Sequence, residues 1–309
     1  MKGAARGALL GAVLLISSAA SASAQGTPHW LDLELGGGII DRRLSYHQDI
    51  SPHPRLPYYL PAGPMVIVGV VAYPHGPSGD GATSNFGFEA DLQQGIVSSH
   101  PRIGANETRF DNTVHDLAGG VRYRFALSTA DELFVSATYG EDAFTFSGPN
   151  RGDLAIPDTI YHYLRPGVGA RVGVGGGLSV RAALGYRALN AVAGIKALTN
   201  AGGSQMEALF PRLVVSGADA DLVGDYAIDD RFAIRLGVAW RRYWYSMNSR
   251  PGDASIAGGA IDQSFAFTGA IALTIGQASS AGAVDGRPSS KAAATDEEGT
   301  AEDGETSDE

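Results

Sequence analysis

The stretch Phe232-Ala233-Ile234-Arg235-Leu236-Gly237-Val238-Ala239-Trp240-Arg241 decides the fold. A large apolar side chain recurs at every second residue, and Arg, Ala or Gly fills the positions between. Successive side chains of an extended chain point to opposite faces, so this is a β-strand with one greasy face and one small or ionic face. The pattern recurs along the chain. Phe86, Phe88, Ala90, Leu92 and Ile96 oppose Glu89, Asp91 and Gln93; Val168, Ala170, Val172 and Val174 oppose Gly167, Gly169, Arg171 and Gly173. Leu178, Val180, Ala182, Leu184 and Tyr186 oppose Ser179, Arg181, Gly185 and Arg187, and Phe265, Phe267, Ile271, Leu273 and Ile275 oppose Ala266, Thr268, Ala270 and Thr274.

A soluble β-sandwich uses the same alternation, burying its apolar face against a second sheet. Three features favour hydrocarbon as the partner instead. The segments run to about ten to fifteen residues, the length of a tilted strand crossing a bilayer. Their polar faces carry Arg, Gly and carboxylates, as a narrow lumen needs. Aromatics gather at segment ends (Trp30, Tyr73, Tyr123, Phe125, Tyr161, Tyr163, Trp244, Tyr245), where an interfacial girdle is expected.

The connections alternate in length. Tight turns are expected at Ser128–Asp131, Gly175–Gly177 and Asp229–Asp230, built from Gly, Asp and Ser. Longer stretches lie between them, near 98–112, 147–158, 191–208 and 248–260. The expected fold is all-β: a closed antiparallel up-and-down transmembrane barrel of about ten strands, near 30–40, 64–73, 84–96, 113–127, 132–146, 159–175, 177–190, 209–226, 230–246 and 262–275. Closure is required because an open edge in lipid strands backbone N–H and C=O groups. Residues 41–63 then form a loop on the far side from the termini, and 74–83 a longer turn on the near side. Two places stay open. Met65–Tyr73 is apolar on both faces, and strand eight reads as if its parity switches at Ser216–Ala218, which a β-bulge would explain. Without a bulge, strand eight is misread or the count is eight or twelve.

The two ends are different polymers. Residues 1–24 read as a secretory signal: Lys2 and Arg6, the apolar run Ala8–Ile16, then Ser21-Ala22-Ser23-Ala24 before Gln25. Residues 278–309 are small, polar and acidic, with eight carboxylates from Asp296 onward against Lys291, and are expected to be a disordered tail. The formal charge is −10, and the body between the ends is mildly acidic with scattered Arg, which argues against nucleic acid as a partner. Cys is absent, so disulfides, thiolate metal sites and thiol nucleophiles are excluded.

Between Trp30 and Ile275 the chain resembles the small bacterial outer-membrane β-barrel superfamily. Tyr163-Leu164-Arg165-Pro166-Gly167-Val168-Gly169-Ala170 looks like one of its membrane-crossing strands, and Phe267-Thr268-Gly269-Ala270-Ile271-Ala272-Leu273-Thr274-Ile275 like its closing strand. The resemblance implies the cell outer membrane, with termini on the periplasmic side and outer-membrane lipid as a partner. It implies no particular activity. In many such proteins an aromatic residue ends the chain at the closing strand; here 34 residues follow Ile275.

Parity places Asp32, Glu34, Glu89, Asp91, Asp116, Arg122, Arg124, Arg165, Arg171, Arg181, Arg187, Asp219, Asp221, Arg235 and Arg241 in the lumen. The leading expectation is a narrow channel or transport barrel for small polar solutes. The alternative is a structural or surface-interaction barrel whose lumen is plugged by Arg–carboxylate pairs and whose loops, with Tyr58, Tyr59, Arg102, Arg109 and Arg151, meet a partner. A barrel-embedded hydrolase stands third. Neighbours His115 and Asp116 point to opposite faces, and His162 has lipid-facing parity. Neither the paired aspartates with Asp-x-His of barrel proteases nor the His-x-Ser of barrel lipases occurs. No metal-ligand spacing emerges, and the glycine runs Gly36–Gly38 and Gly175–Gly177 precede no helix, so no cofactor is expected.

Overall fold

The two-faced alternation continues through ten long strands that close on themselves. The computed structural model describes residues 29–48, 58–76, 82–99, 102–103, 106–107, 110–128, 130–147, 159–189, 210, 212–253 and 256–276. The expected signal segment and acidic tail lie outside them, as do Arg109 and Arg151. The barrel strands are β1 (Leu31–His47), β2 (Tyr58–Ala72), β3 (Phe86–Ser99), β4 (Phe110–Ala126) and β5 (Glu132–Ser147). They continue as β6 (Thr159–Gly175), β7 (Leu178–Arg187), β8 (Val214–Ala227), β9 (Phe232–Ser246) and β10 (Gly259–Ile275). Each pairs antiparallel with its neighbours in sequence, and β1 pairs with β10 from Leu31↔Ile275 to His47↔Gly259. A two-residue ladder, Arg102–Ile103 with Asn106–Glu107, lies in the β3–β4 connection.

Three connections at one end are tight for visible reasons. Gly175, Gly176 and Gly177 all have positive φ, which L side chains rarely adopt. The Ser128 hydroxyl donates to Asp131 and accepts from the Ala130 and Asp131 amides. Asp229 accepts from the Arg231 and Phe232 amides. Leu31 and Ile275 lie at this same end, since Thr274 N–H donates to Arg231 and Trp30 N–H to Ile275. We call it the turn end, and the opposite one the loop end.

The barrel is apolar outside and ionic inside. Leu35, Leu236 and Ile271 expose 65%, 67% and 61% of their surface, whereas Arg122, Arg187 and Arg235 expose 5%, 4% and 4%. Water rewards the reverse arrangement; hydrocarbon rewards this one, so the sheet is a transmembrane barrel. Ten strands remove the alternatives of eight and twelve.

Several local expectations are corrected. Strand eight has no parity switch: β8 keeps unbroken register with β7 and β9, and Val215 is an inward residue, 2% exposed. The register shifts lie between Ile40 and Arg42 in the β1–β2 ladder and between Gly173 and Gly175 in the β6–β7 ladder. In β2 the inward set is Met65, Ile67, Gly69 and Val71. β1 runs past Ile40 to His47, so part of the expected 41–63 loop is ladder. Of the expected girdle, Phe125 and Trp244 are exposed, and Trp30 and Tyr123 are half-buried. Tyr73, Tyr161, Tyr163 and Tyr245 instead turn inward and are buried. The latter three share the parity of Arg165 and Arg241, which outweighs their place near strand ends.

Candidate functional site

The interior stacks into three levels. At the loop end, β1 delivers Arg42, 3% exposed, to a carboxylate of the neighbouring strand β10 and to one from β5 across the barrel. Its Nε and Nη2 donate to Asp262 at 3.1 and 2.7 Å, Nη1 to Asp142 at 3.2 Å and Nη2 to the Thr159 hydroxyl at 3.2 Å. Tyr161 donates to Asp262 at 2.6 Å, bonds the Tyr245 hydroxyl, and stacks on Tyr243 with ring centroids 3.9 Å apart. Ile40, Leu44, Leu60, Met65, Phe144 and Met247 pack around this knot. Planar guanidinium and bidentate carboxylate fit each other, and the surrounding grease keeps water out of the pair.

Just below, Arg187 donates to Asp219 at 2.8 Å, to the Tyr243 hydroxyl at 2.8 Å and to Asp116 at 3.3 Å. Arg241 meets Asp116 at 2.7 Å, and Tyr163 donates to the other oxygen of Asp116 at 2.7 Å. Arg165 forks onto Asp219, with its nearest contact at 2.5 Å, and reaches Asp221 at 3.4 Å.

At the turn end, Arg235 gathers Asp32 at 2.5 Å, Asp225 at 2.6 Å and Glu34 at 2.9 Å. Arg171 stands 3.7 Å from Asp225, and Arg181 3.9 Å from Glu34. Arg122 holds Glu132 at 2.6 Å, lies 3.9 Å from Glu89, and covers the Phe134 ring at 3.5 Å. Arg124, fully buried, donates to the carbonyls of His29 and Ser84 and to the Asn85 side chain, and covers Tyr73. Burial holds the His29 imidazole down at about 4, well below its ordinary range.

Between these levels lies a cavity of about 200 Å³. Asp91 and Asp221 border it, both with open surface; the Asp221 side chain keeps 36%. Gly69, the register partner of Asp91, leaves the room: a Cβ there would stand 3.2 Å from Asp91 Oδ1.

All fifteen residues assigned to the lumen by parity thus have interior contacts or border the cavity. Sequence reasoning missed Arg42, Glu132, Asp142, Asp225 and Asp262. Among the described interior residues, nine guanidiniums (Arg42, Arg122, Arg124, Arg165, Arg171, Arg181, Arg187, Arg235, Arg241) face eleven carboxylates (Asp32, Glu34, Glu89, Asp91, Asp116, Glu132, Asp142, Asp219, Asp221, Asp225, Asp262). Of the described histidines, His29 lies buried at the turn end, whereas His115 and His162 face outward. His115 bonds Gln94 at 3.1 Å, and His162 stands 3.5 Å from Glu141, the His162 and Glu141 side chains being more than a third exposed. Among the described residues no group of three His, Cys, Asp or Glu could hold a metal ion.

No family model and no curated protein matches the chain. Solved outer-membrane barrels do. The chain is similar to the outer membrane protease OmpT of Escherichia coli at 7% identity, with 82% of this chain and 99% of that one covered and a TM-score of 0.44. It is similar to OprG of Pseudomonas aeruginosa at 10% identity, covering 80% and 97% with a TM-score of 0.30. It is also similar to the attachment invasion locus protein Ail of Yersinia pestis at 9% identity, covering 80% and 99% with a TM-score of 0.31.

Proposed function

We propose that this protein is an outer-membrane barrel closed to solute flow, with its termini in the periplasm, acting as a scaffold that holds its loop end toward a partner at the cell surface. The observation that carries this reading is the Arg42 knot. A guanidinium bonded to Asp142, Asp262 and Thr159, in one buried cluster with Ile40, Leu44, Leu60 and Met247, supports closure at that level. Opening it would strand buried charges, at a cost of roughly 3–5 kcal/mol for a single broken pair. Tyr59, 59% exposed on β2, belongs to the loop-end surface available for such a contact.

The test is single-channel recording of purified protein in planar bilayers. The scaffold reading expects silence from the native protein and discrete steps once Arg42→Ala and Tyr243→Ala are combined. Steps from the native protein would favour the second reading, a narrow pathway for small polar solutes, whose specific support is the mid-barrel cavity bordered by Asp91 and Asp221.

A further inference from the structure

We infer that the mid-barrel cavity is a binding site for a small organic cation carrying a primary ammonium group. The inference stands apart from the scaffold reading, because a sealed barrel and a conducting one can each hold a ligand there.

Charge is the first reason. Asp91 and Asp221 are the carboxylates that keep open surface toward the cavity. Asp91 has no ion-pair partner among the described residues, and Asp221 has only Arg165, at 3.4 Å, whose guanidinium is already forked onto Asp219. The nearby Arg187 and Arg241 are committed to Asp219 and Asp116. Arg181 also lines the space, 3.9 Å from Glu34, and Asp91 is the one cavity-lining carboxylate among the described residues with no ion pair within 4 Å.

Unspent hydrogen-bonding capacity is the second. Thr138 borders the cavity and is 3% exposed, yet its hydroxyl has no partner; the buried Oε1 of Gln93, two residues from Asp91 on the same face of β3, has none either, and on the donor side only the buried Nε of Arg122 on this wall is likewise unpartnered among the described residues. Buried polar groups in folded proteins are almost always satisfied, so unpartnered acceptors beside an uncompensated carboxylate mark a place for a donor. An ammonium group offers three donors and one positive charge, matching a carboxylate, an amide oxygen and a hydroxyl. A divalent metal fits poorly, since no group of three potential ligands converges among the described residues. About 200 Å³ admits an aliphatic amine or diamine of several heavy atoms, with the apolar side chains of Ile67 and Val223 along the wall.

The experiment is isothermal titration calorimetry on the full-length protein, refolded in detergent at constant ionic strength. The probes are putrescine and propylamine, with acetate, magnesium chloride and sodium chloride as comparisons. Saturable heat from the amines alone is expected, weakened about tenfold or more in Asp91→Asn, the worth of one charge-assisted hydrogen bond. Retained folding of the isosteric variant is checked by the heat-dependent shift in gel mobility. If Asp91→Asn does not fold, Thr138→Val and Gln93→Met each serve, with a weakening of several-fold expected. Amine heat no larger than that of sodium chloride, equal binding of acetate or magnesium, or amine affinity unchanged in the folded variants would each overturn the assignment.

Discussion

The phenol ring of Tyr163 packs on Gly140, its register partner across the β5–β6 ladder, so closely that a Cβ on Gly140 would stand 2.6 Å from the tyrosine oxygen. Two other register pairs repeat the arrangement: Phe134 on Gly169, and Tyr243 on Gly217. An aromatic laid over a cross-strand glycine covers backbone that would otherwise lose packing, and it lets a large ring lie along the wall of a narrow barrel. Tyr163 so placed delivers its hydroxyl to Asp116.

Gly140→Val is therefore expected to push the ring off the wall and break the Asp116 bond. The cost expected for overpacking is about 1–3 kcal/mol. Gly119→Val is the comparison, since a Cβ at Gly119 has 3.8 Å of room and the residue faces outward. Thermal unfolding in detergent, followed by gel mobility, should separate the two; equal melting temperatures would defeat the argument.

Arg42→Met should destabilise by roughly 3–5 kcal/mol, because Asp142 and Asp262 are left charged in a dry site. Adding Asp142→Asn and Asp262→Asn should recover most of that loss. Urea unfolding in lipid vesicles measures both. A triple variant no more stable than Arg42→Met would mean that the guanidinium matters for its shape rather than its charge.

The orientation of the sheet in hydrocarbon can be checked on β9. Leu236 is 67% exposed at the centre of the outward apolar run Phe232–Trp240, and Leu236→Arg should cost about 2–4 kcal/mol. Phe232→Arg, at the turn end of the same face, should cost only about 0–1 kcal/mol. A depth-independent cost, read from vesicle unfolding free energies, would contradict a bilayer around this surface.

Acid should loosen the turn end through two groups. His29 is buried beside Tyr73 and titrates at about 4 when folded, against 6.5 for an ordinary imidazole. The unfolded chain takes up this proton first, so the stability contributed by neutral His29 declines as pH falls from 6.5 toward 4. Asp229 has its pKa lowered by the Arg231 and Phe232 amides; its contribution is present above the ordinary carboxylate range and fades as pH falls through the lowered value. NMR titration of the His29 ring, with hydrogen exchange at the Arg231 and Phe232 amides, reads both. His29→Asn should flatten the upper part of the pH profile; an unchanged profile would assign it elsewhere.

Strand number, turn placement and the fifteen interior charges were legible because each rests on period two, which a single sequence displays directly. What escaped did so for identifiable reasons. Arg42 lies in Asp41-Arg42-Arg43, a polar run that reads as loop, and its inward direction depends on β1 continuing to His47 through a ladder that shifts between Ile40 and Arg42. Asp225 shares parity with Asp219 and Asp221 and was available to the same rule. Asp142 and Asp262 sit near strand ends, where the greasy alternation that signals a strand has faded. The inward tyrosines were misassigned by position, since aromatics at strand ends serve either the interface or the interior and parity alone separates these roles. The cavity was invisible, being a property of which side chains fall short of one another across the barrel.

The longest ladder in the barrel joins its first strand to its last, Leu31 to Ile275 and His47 to Gly259. These partners are the most distant in the sequence, so closing the ring demands that both extremities be available together. Insertion cannot finish strand by strand from either side; the cylinder must stay unzipped until residues 259–275 arrive. A chain cut before Gly259 would then carry two raw edges into lipid at once, and should stall or be degraded rather than settle as a nine-stranded sheet.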